Sequence, residues 1–283
     1  MYPSTFDYVV PTSLSEALEA LASADNAKVL SGGMSLIPLM KMRLVRPTTV
    51  IDISRIPGLD TIFTDRGDHI KIGALVRHAD TAADPLVNAH AAALAQAAAA
   101  TADNQVRNQG TTCGSLAHAD LAADQPAAVL ALGATMTAAS VRGTREIAAE
   151  DFFVDTLTSA LEPDEILTAI RIPKGGTSVY RKLGRRGGDS DYPVAGVAVW
   201  VDSSNGTVAD ARIAVTGVSS KPYLATAAAA AIVGSDGSSD AIAAASSHAT
   251  DGVVVLEDLY GTVDYRTHLA EVYVQRALED ALA

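Results

Sequence analysis

Lys28-Val29-Leu30-Ser31-Gly32-Gly33-Met34-Ser35-Leu36 decides the fold at the start of this 283-residue chain. Lys28-Val29-Leu30 reads as a short strand that runs into a Ser-Gly-Gly turn, and an amphipathic stretch from Leu36 to Leu44 follows. Thr49-Val50-Ile51-Asp52-Ile53 is the next strand. Upstream, Phe6 to Pro11 is extended, and the Ser13/Glu16 spacing is a capping box opening a helix with Ala17, Leu18 and Leu21 on its apolar face. The order is β-α-β-α-β, which implies a small α/β unit with partly parallel strands. Glycines between a strand and a helix let the backbone approach a ligand, and N–H groups at a helix start attract anions. The turn is neither GxGxxG nor a Walker A loop, and in isolation it is also an ordinary tight turn.

Further along lies Asn108-Gln109-Gly110-Thr111-Thr112-Cys113-Gly114-Ser115-Leu116-Ala117-His118-Ala119-Asp120, with Asp124 just beyond. Hydroxyls, small side chains and two glycines suit a backbone that grips a phosphate or a ribose. The competing view is an irregular loop whose Ser and Thr side chains cap its own N–H groups. Around it, Ile62-Phe63 and His69 to Ile72 form a hairpin over Asp65-Arg66-Gly67-Asp68, and an alanine-rich helix runs from about Pro85 to Ala100. Pro126 to Leu132 reads as a helix, Thr135–Val141 and Thr144–Ile147 as a hairpin, and Ile166 to Ile172 as a strand. After a linker at Pro173 to Gly176, three strands are expected near 179–183, 193–201 and 208–216, with helices at 223–233 and 267–282. Trp200 falls in an apolar strand pattern and is assigned to the core; Gly234–Ser239 reads as a loop. These elements predict an α+β protein: a small α/β unit over 1–56, a larger mixed unit over 57–174 and a C-terminal α+β domain over 175–283 with a small antiparallel sheet and helices.

Bulk composition narrows the chemistry. Hydrophobic residues at 48% and charged residues at 19% fit a globular enzyme. A formal charge of −12 without a Lys/Arg-rich run argues against nucleic acid. With Cys113 the only cysteine there is no internal disulfide, and an iron–sulfur cluster, which needs about four thiolates, has no ligand set here. The six histidines lack metal-binding spacing, and no Ser/His/Asp or paired-carboxylate arrangement stands out, so no catalytic or metal residue is assigned. No secretory start and no apolar run long enough for a bilayer are present, which predicts a cytoplasmic protein, at the inner membrane face only through partners.

Taken together the two stretches resemble the FAD-binding subunit of the xanthine dehydrogenase and carbon monoxide dehydrogenase family, a branch of the vanillyl-alcohol-oxidase-like flavin fold. The resemblance runs through Phe6-Asp7-Tyr8 and Pro11, Gly32 to Pro38, Lys41, Arg43-Leu44 and Ile51-Asp52-Ile53. It continues through Gly110 to Ser115, Asp124, Glu162 to Leu167, Ile172-Pro173 and Tyr265-Arg266, and so covers nearly the whole chain.

The resemblance implies non-covalent FAD, held by Val29, Leu30, Ser31, Gly32, Gly33, Met34, Ser35 and Leu36 around the dinucleotide. Thr111, Gly114 and Ser115 would grip the diphosphate from the other side, with Gly110, Cys113 and Thr101 also in the site. Asp124 would accept a hydrogen bond from a ribityl or ribose hydroxyl, Leu167 would line the cofactor, Lys182 would sit by the polar edge of the isoalloxazine, and Tyr192 would pack near the flavin and gate it. Relatives usually carry His or Gln at the position of Met34, and a second Gly at that of Cys113, whose thiol is read as a small buried filler. His118 is read as structural, and the basic loop Arg185-Arg186-Gly187-Gly188-Asp189 as a solvated turn or a place that steers an anionic acceptor.

The implied partners are a large molybdenum–pterin subunit and a small [2Fe–2S] subunit, in a dimer of heterotrimers, with electrons leaving to a quinone, NAD⁺ or oxygen. A self-sufficient NAD(P)H-dependent flavin reductase and a nucleotide-binding module without a redox role are the competing functions.

Overall fold

The computed structural model describes residues 2–188 and 191–283. In the N-terminal unit, Thr49–Asp52 is the centre of a three-stranded sheet, flanked by Asp7–Val9 and Ala27–Leu30, and both pairings are parallel. Helix Leu14–Ser23 covers it: Ser13 Oγ accepts from Glu16 N at the first turn, and Ala17, Leu18 and Leu21 are buried. The capping box is offset by one residue, because the Glu16 carboxylate accepts from Thr12 N rather than from Ser13 N. Ala27–Leu30 lies at the sheet edge, so its outer N–H and C=O groups are not consumed by a neighbouring strand.

The middle of the chain builds a five-stranded antiparallel sheet in the order Ile62–Asp65, His69–Gly73, Ile166–Pro173, Thr135–Ser140, Gly143–Ala148. Its central strand is buried at every position but the last, as expected of a strand with neighbours on both sides and cover above. The first two sheets share one hydrophobic core, in which Leu18, Ile51 and Ile53 belong with Ile70, Ile170 and Phe152.

The alanine-rich segment is not one helix. It divides into Pro85–His90 and Ala92–Ala99 at Ala91, whose backbone (φ −145°, ψ 47°) is not helical. Asp84 caps the first helix, with Pro85 at its first position. The second starts where Ser178 Oγ, from the C-terminal sheet, accepts the N–H of Ala93. A hydroxyl 85 residues away replaces the local cap, and that is invisible in the local pattern.

The C-terminal part is a four-stranded antiparallel sheet, Thr177–Gly184, Pro193–Ser204, Thr207–Thr216 and Tyr223–Leu224, packed on the 20-residue helix Val263–Leu282. Tyr223-Leu224 joins the sheet, which delays the helix expected from residue 223 to Thr226–Ile232. Trp200 is half-buried rather than in the core; its indole N–H donates to Gly175 O at 2.8 Å, which keeps one edge of the ring at the surface. A short hairpin, Phe153–Asp155 with Thr158–Ser159, and helices His78–Ala83 and Ser239–Ser246 are further elements that the sequence pattern did not announce. Among the described residues no helix is long and apolar enough to cross a membrane.

Candidate FAD site

The two glycine-containing stretches touch. Ser31 Oγ lies 3.0 Å from Thr111 Oγ1 across 80 residues of sequence. A Cβ on Gly32 would sit 2.3 Å from Gln109 O and 2.6 Å from Gly110 Cα, so only glycine permits this approach. Gly114 is packed against side chains instead, with Thr111 Oγ1 2.6 Å and Ser31 Oγ 2.9 Å from where its Cβ would stand. Gly33 turns with φ +73°, a left-handed conformation that L side chains resist.

The joined loops form one wall of a cavity of about 770 Å³. Val29, Leu30, Ser31, Gly32, Gly33, Met34, Ser35, Leu36, Thr101, Gly110, Thr111, Cys113, Gly114, Ser115, Asp124, Leu167 and Tyr192 all line it. Such a volume lies in the upper part of the range, about 300–1,000 Å³, in which small molecules and cofactors are held. Among the described residues no group of the protein accepts a hydrogen bond from the backbone N–H of Gly32, Gly33, Met34 or Ser35. A run of open amides beside a helix start is an anion cradle. Open amides on a loop that only glycine lets pack against the second loop, beside a cavity of this volume, fit the pyrophosphate and the bulk of FAD.

The second stretch is more regular than its composition suggested. It contains the short helices Asn104–Arg107 and Thr112–His118, and Thr111 caps the latter by accepting from Gly114 N at 3.1 Å. Here a threonine does cap its own loop, as the competing sequence view held. Ser115 donates its hydroxyl proton to Gln125 Oε1 at 2.9 Å. Cys113 lies in the first turn of the helix with its side chain buried, its sulfur 3.7 Å from Gly73 O, and burial pushes its thiol up to about 12. Such a thiol stays protonated and acts as a small filler. His118 ends the same helix and lines the cavity half-buried.

Beneath the cavity runs a buried polar network. Gln125, fully buried, donates from Nε2 to Thr101 Oγ1 at 2.6 Å and to His78 Nδ1 at 3.1 Å. The amide direction follows from its Oε1 being taken by Ser115, so Nδ1 of a neutral His78 is the acceptor. Burial, with the charge of Arg107 adding to it, lowers the His78 pKa to about 4. His78 also closes on the second loop, its N–H donating to Gly110 O at 3.0 Å.

Asp124 forms the other half of the network. Its Oδ1 accepts from Tyr180 Oη at 2.7 Å and from Lys182 Nζ at 2.8 Å, while Oδ2 receives a long bond of 3.4 Å from Thr101. Burial raises its carboxyl to about 6, outweighing the pull of Lys182, Tyr180 and Thr101 toward the ionised form.

Lys182 is the one candidate that does not line the cavity. Its ammonium is nearly completely buried and donates to Asp124, to Ala100 O and to Asp191 O. It stands behind Asp124, where a solvent-excluded ammonium takes all the acceptors within reach.

His78, Gln125, Tyr180 and Asp191 are site components that the sequence did not single out. Tyr180 had a usable signal, since it shares a strand face with Lys182 two residues on. Gln125 and His78 had none, because nothing local marks their meeting. In the basic loop, Arg186 pairs with Asp191 at 2.9 Å and Arg185 stacks on Tyr192; Asp189 lies outside the described residues. Among the described residues no cluster of His, Cys, Asp or Glu could hold a metal ion.

Comparison with known proteins agrees with this geometry. Residues 4–175 match the model of the FAD binding domain in molybdopterin dehydrogenase, and residues 178–281 match the CO dehydrogenase flavoprotein C-terminal domain. The carbon monoxide dehydrogenase medium chain of Hydrogenophaga pseudoflava is 37% identical over 100% of this chain and 99% of its own length. The nicotine 6-hydroxylase medium subunit of Paenarthrobacter nicotinovorans is 36% identical over 97% of this chain and 96% of its own. A solved structure of carbon monoxide dehydrogenase from H. pseudoflava superimposes with a TM-score of 0.94 at 40% identity, covering 99% of this chain and 98% of the other.

Proposed function

Since this chain belongs to the family of FAD-binding medium subunits of molybdenum-dependent dehydrogenases, we propose that it accepts electrons from the [2Fe–2S] clusters of a small partner subunit and passes them to an external quinone, NAD⁺ or oxygen. The observation that carries this reading is the contact of Gly32 with Gln109 and Gly110, which brings two distant loops together as one cradle with open amides. FAD, when bound, supplies the exchange between one-electron donors and a two-electron acceptor.

The chain's own part is binding and orientation. The amides of Gly32 to Ser35 would meet the pyrophosphate, and Gly114 lets the hydroxyls of Thr111 and Ser31 pack close beside its backbone. Asp124 Oδ2, engaged by a single long bond, accepts from a ribityl or ribose hydroxyl. Leu167 and Leu30 keep an apolar wall along the cofactor, and Thr101 is fixed by Gln125 at the same end as Asp124. Tyr192, half-exposed at the cavity, limits access of water and acceptor. We place the large molybdenum–pterin subunit and the small iron–sulfur subunit as its partners, in a cytoplasmic dimer of heterotrimers; substrate is chosen on the large subunit.

Purification from the native host with a tag on this chain tests the proposal. Co-purification of a larger molybdenum-containing chain and an iron–sulfur chain, with substrate bleaching both the cluster and flavin absorbance, is the expected outcome. A chain that comes out alone and oxidises NADPH through its flavin would establish the self-sufficient reductase instead.

A further inference from the structure

Beside Tyr192, a lining residue of the cavity, the guanidinium of Arg185 lies over two tyrosine rings, 5.2 Å from the centroid of Tyr192 and 4.3 Å from that of Tyr260. Tyr192 lines the cavity, and both rings keep 40% or more of their surface exposed. Tyr260 comes from a turn closed by the Asp258–Gly261 bridge, and that turn is clamped from behind: Tyr260 N and Arg266 Nη2 both donate to Asp258 Oδ1. Arg266 is itself buried and donates to the carbonyls of Val194 and Gly217, so Tyr260 stands on a rigid support. Arg185 N in turn donates to Tyr192 O at 2.9 Å, which fixes backbone as well as ring.

Among the described residues the carboxylates nearby are already engaged by other arginines, Asp191 by Arg186 and Asp258 by Arg266. A guanidinium stacked on π-faces keeps its N–H donors at its edge, where they are free to meet a planar anion. The chain as a whole carries a formal charge of −12, which repels anions at long range, so a cation at this place has a local effect opposite to that of the molecule. We infer that Arg185 docks the anionic group of the electron acceptor, and that the exposed surface of Tyr192 and Tyr260 left uncovered by the guanidinium flanks its ring. The acceptor is therefore a flat π-system with an attached negative group, a chemistry shared by a pyridine dinucleotide and an acidic quinone. The inference rests on the FAD-subunit reading and selects among its acceptors.

The test is acceptor binding by the full, flavin-loaded chain, followed by titration calorimetry at low and high salt. The probes are NAD⁺ against phosphate-free nicotinamide riboside, and naphthoquinone sulfonate against naphthoquinone. Arg185→Gln is expected to weaken binding of the anionic member of whichever pair binds by about tenfold, and of the member lacking the phosphate or sulfonate by less than about twofold. The difference should narrow as salt rises. Arg185→Lys, which keeps the charge, should retain the preference for the anionic member. NAD⁺ binding alone identifies the dinucleotide as the source, and sulfonate binding alone identifies the acidic quinone. Equal weakening of the members with and without the anionic group, no change in either, or no binding of either anion to the wild-type chain overturns the inference while the flavin's visible bands stay intact. A chain that takes up no flavin overturns the underlying FAD-subunit reading together with it.

Discussion

Lys182 Nζ lies 2.8 Å from Asp124 Oδ1, and both side chains are more than nine-tenths buried. The pair joins the first strand of the C-terminal sheet to the residue that opens helix Gln125–Ala131, at the floor of the FAD cavity. The same ammonium reaches the carbonyls of Ala100 and Asp191, so one side chain ties the floor, the end of an alanine-rich helix and the residue next to Tyr192.

Removing one partner of a buried ion pair leaves the other charge uncompensated. Lys182→Met should therefore destabilise the folded chain by about 3–5 kcal/mol in denaturant unfolding, whereas the double variant Lys182→Met/Asp124→Leu should recover part of that loss. A loss in the single variant below about 1 kcal/mol would show that water reaches the pair.

Gly32→Ala should act on the cofactor more than on the fold. The added Cβ collides with backbone atoms of Gln109 and Gly110, which have no rotamer to retreat into, so the two loops must separate. We expect the FAD dissociation constant, measured by flavin fluorescence on reconstitution, to rise by more than about tenfold. Far-UV circular dichroism should remain that of the wild-type chain. Retention of wild-type FAD affinity would mean that the loops do not meet as described.

His78 predicts an acid-labile site. Burial holds its folded-state pKa at about 4, below the ordinary value of 6.5, so between these values the unfolded chain binds more protons than the folded one. Its contribution is present at neutral pH and lost as pH falls through that window, up to about 3 kcal/mol near pH 4. Protonation would also set a second donor against the amide of Gln125. Comparing urea midpoints of the wild-type chain and His78→Asn across this range isolates the effect: the variant should lose less stability on acidification.

Cys113 should be silent. With its thiol pushed up to about 12 and its sulfur against the carbonyls of Ile72 and Gly73, it should resist alkylation by iodoacetamide in the native chain and react fully once unfolded. Cys113→Ala should cost about 1 kcal/mol from the small void and leave flavin binding intact. Rapid native labelling would show that the thiol is open to solvent rather than buried.

By itself the sequence determined the local units and the binding cradle's chemistry. The run from Lys28 to Leu36 dictated strand, turn and helix, because apolar periodicity, a glycine pair and a helix start are properties of neighbouring residues. Gly32 and Gly114 carried their requirement for close approach in their identity, although not what approaches them. Only the tertiary structure decided the partners. Ser178 sets the start of helix Ala92–Ala99, Gln125 orients Thr101 and Ser115, and Lys182 turns inward to Asp124. Each of these is a hydrogen bond between segments far apart in the chain, made because a buried polar group must find an acceptor or donor wherever the fold brings one. Periodicity and spacing hold no record of such meetings, so the cradle was legible in the sequence and the network that holds it in place was not.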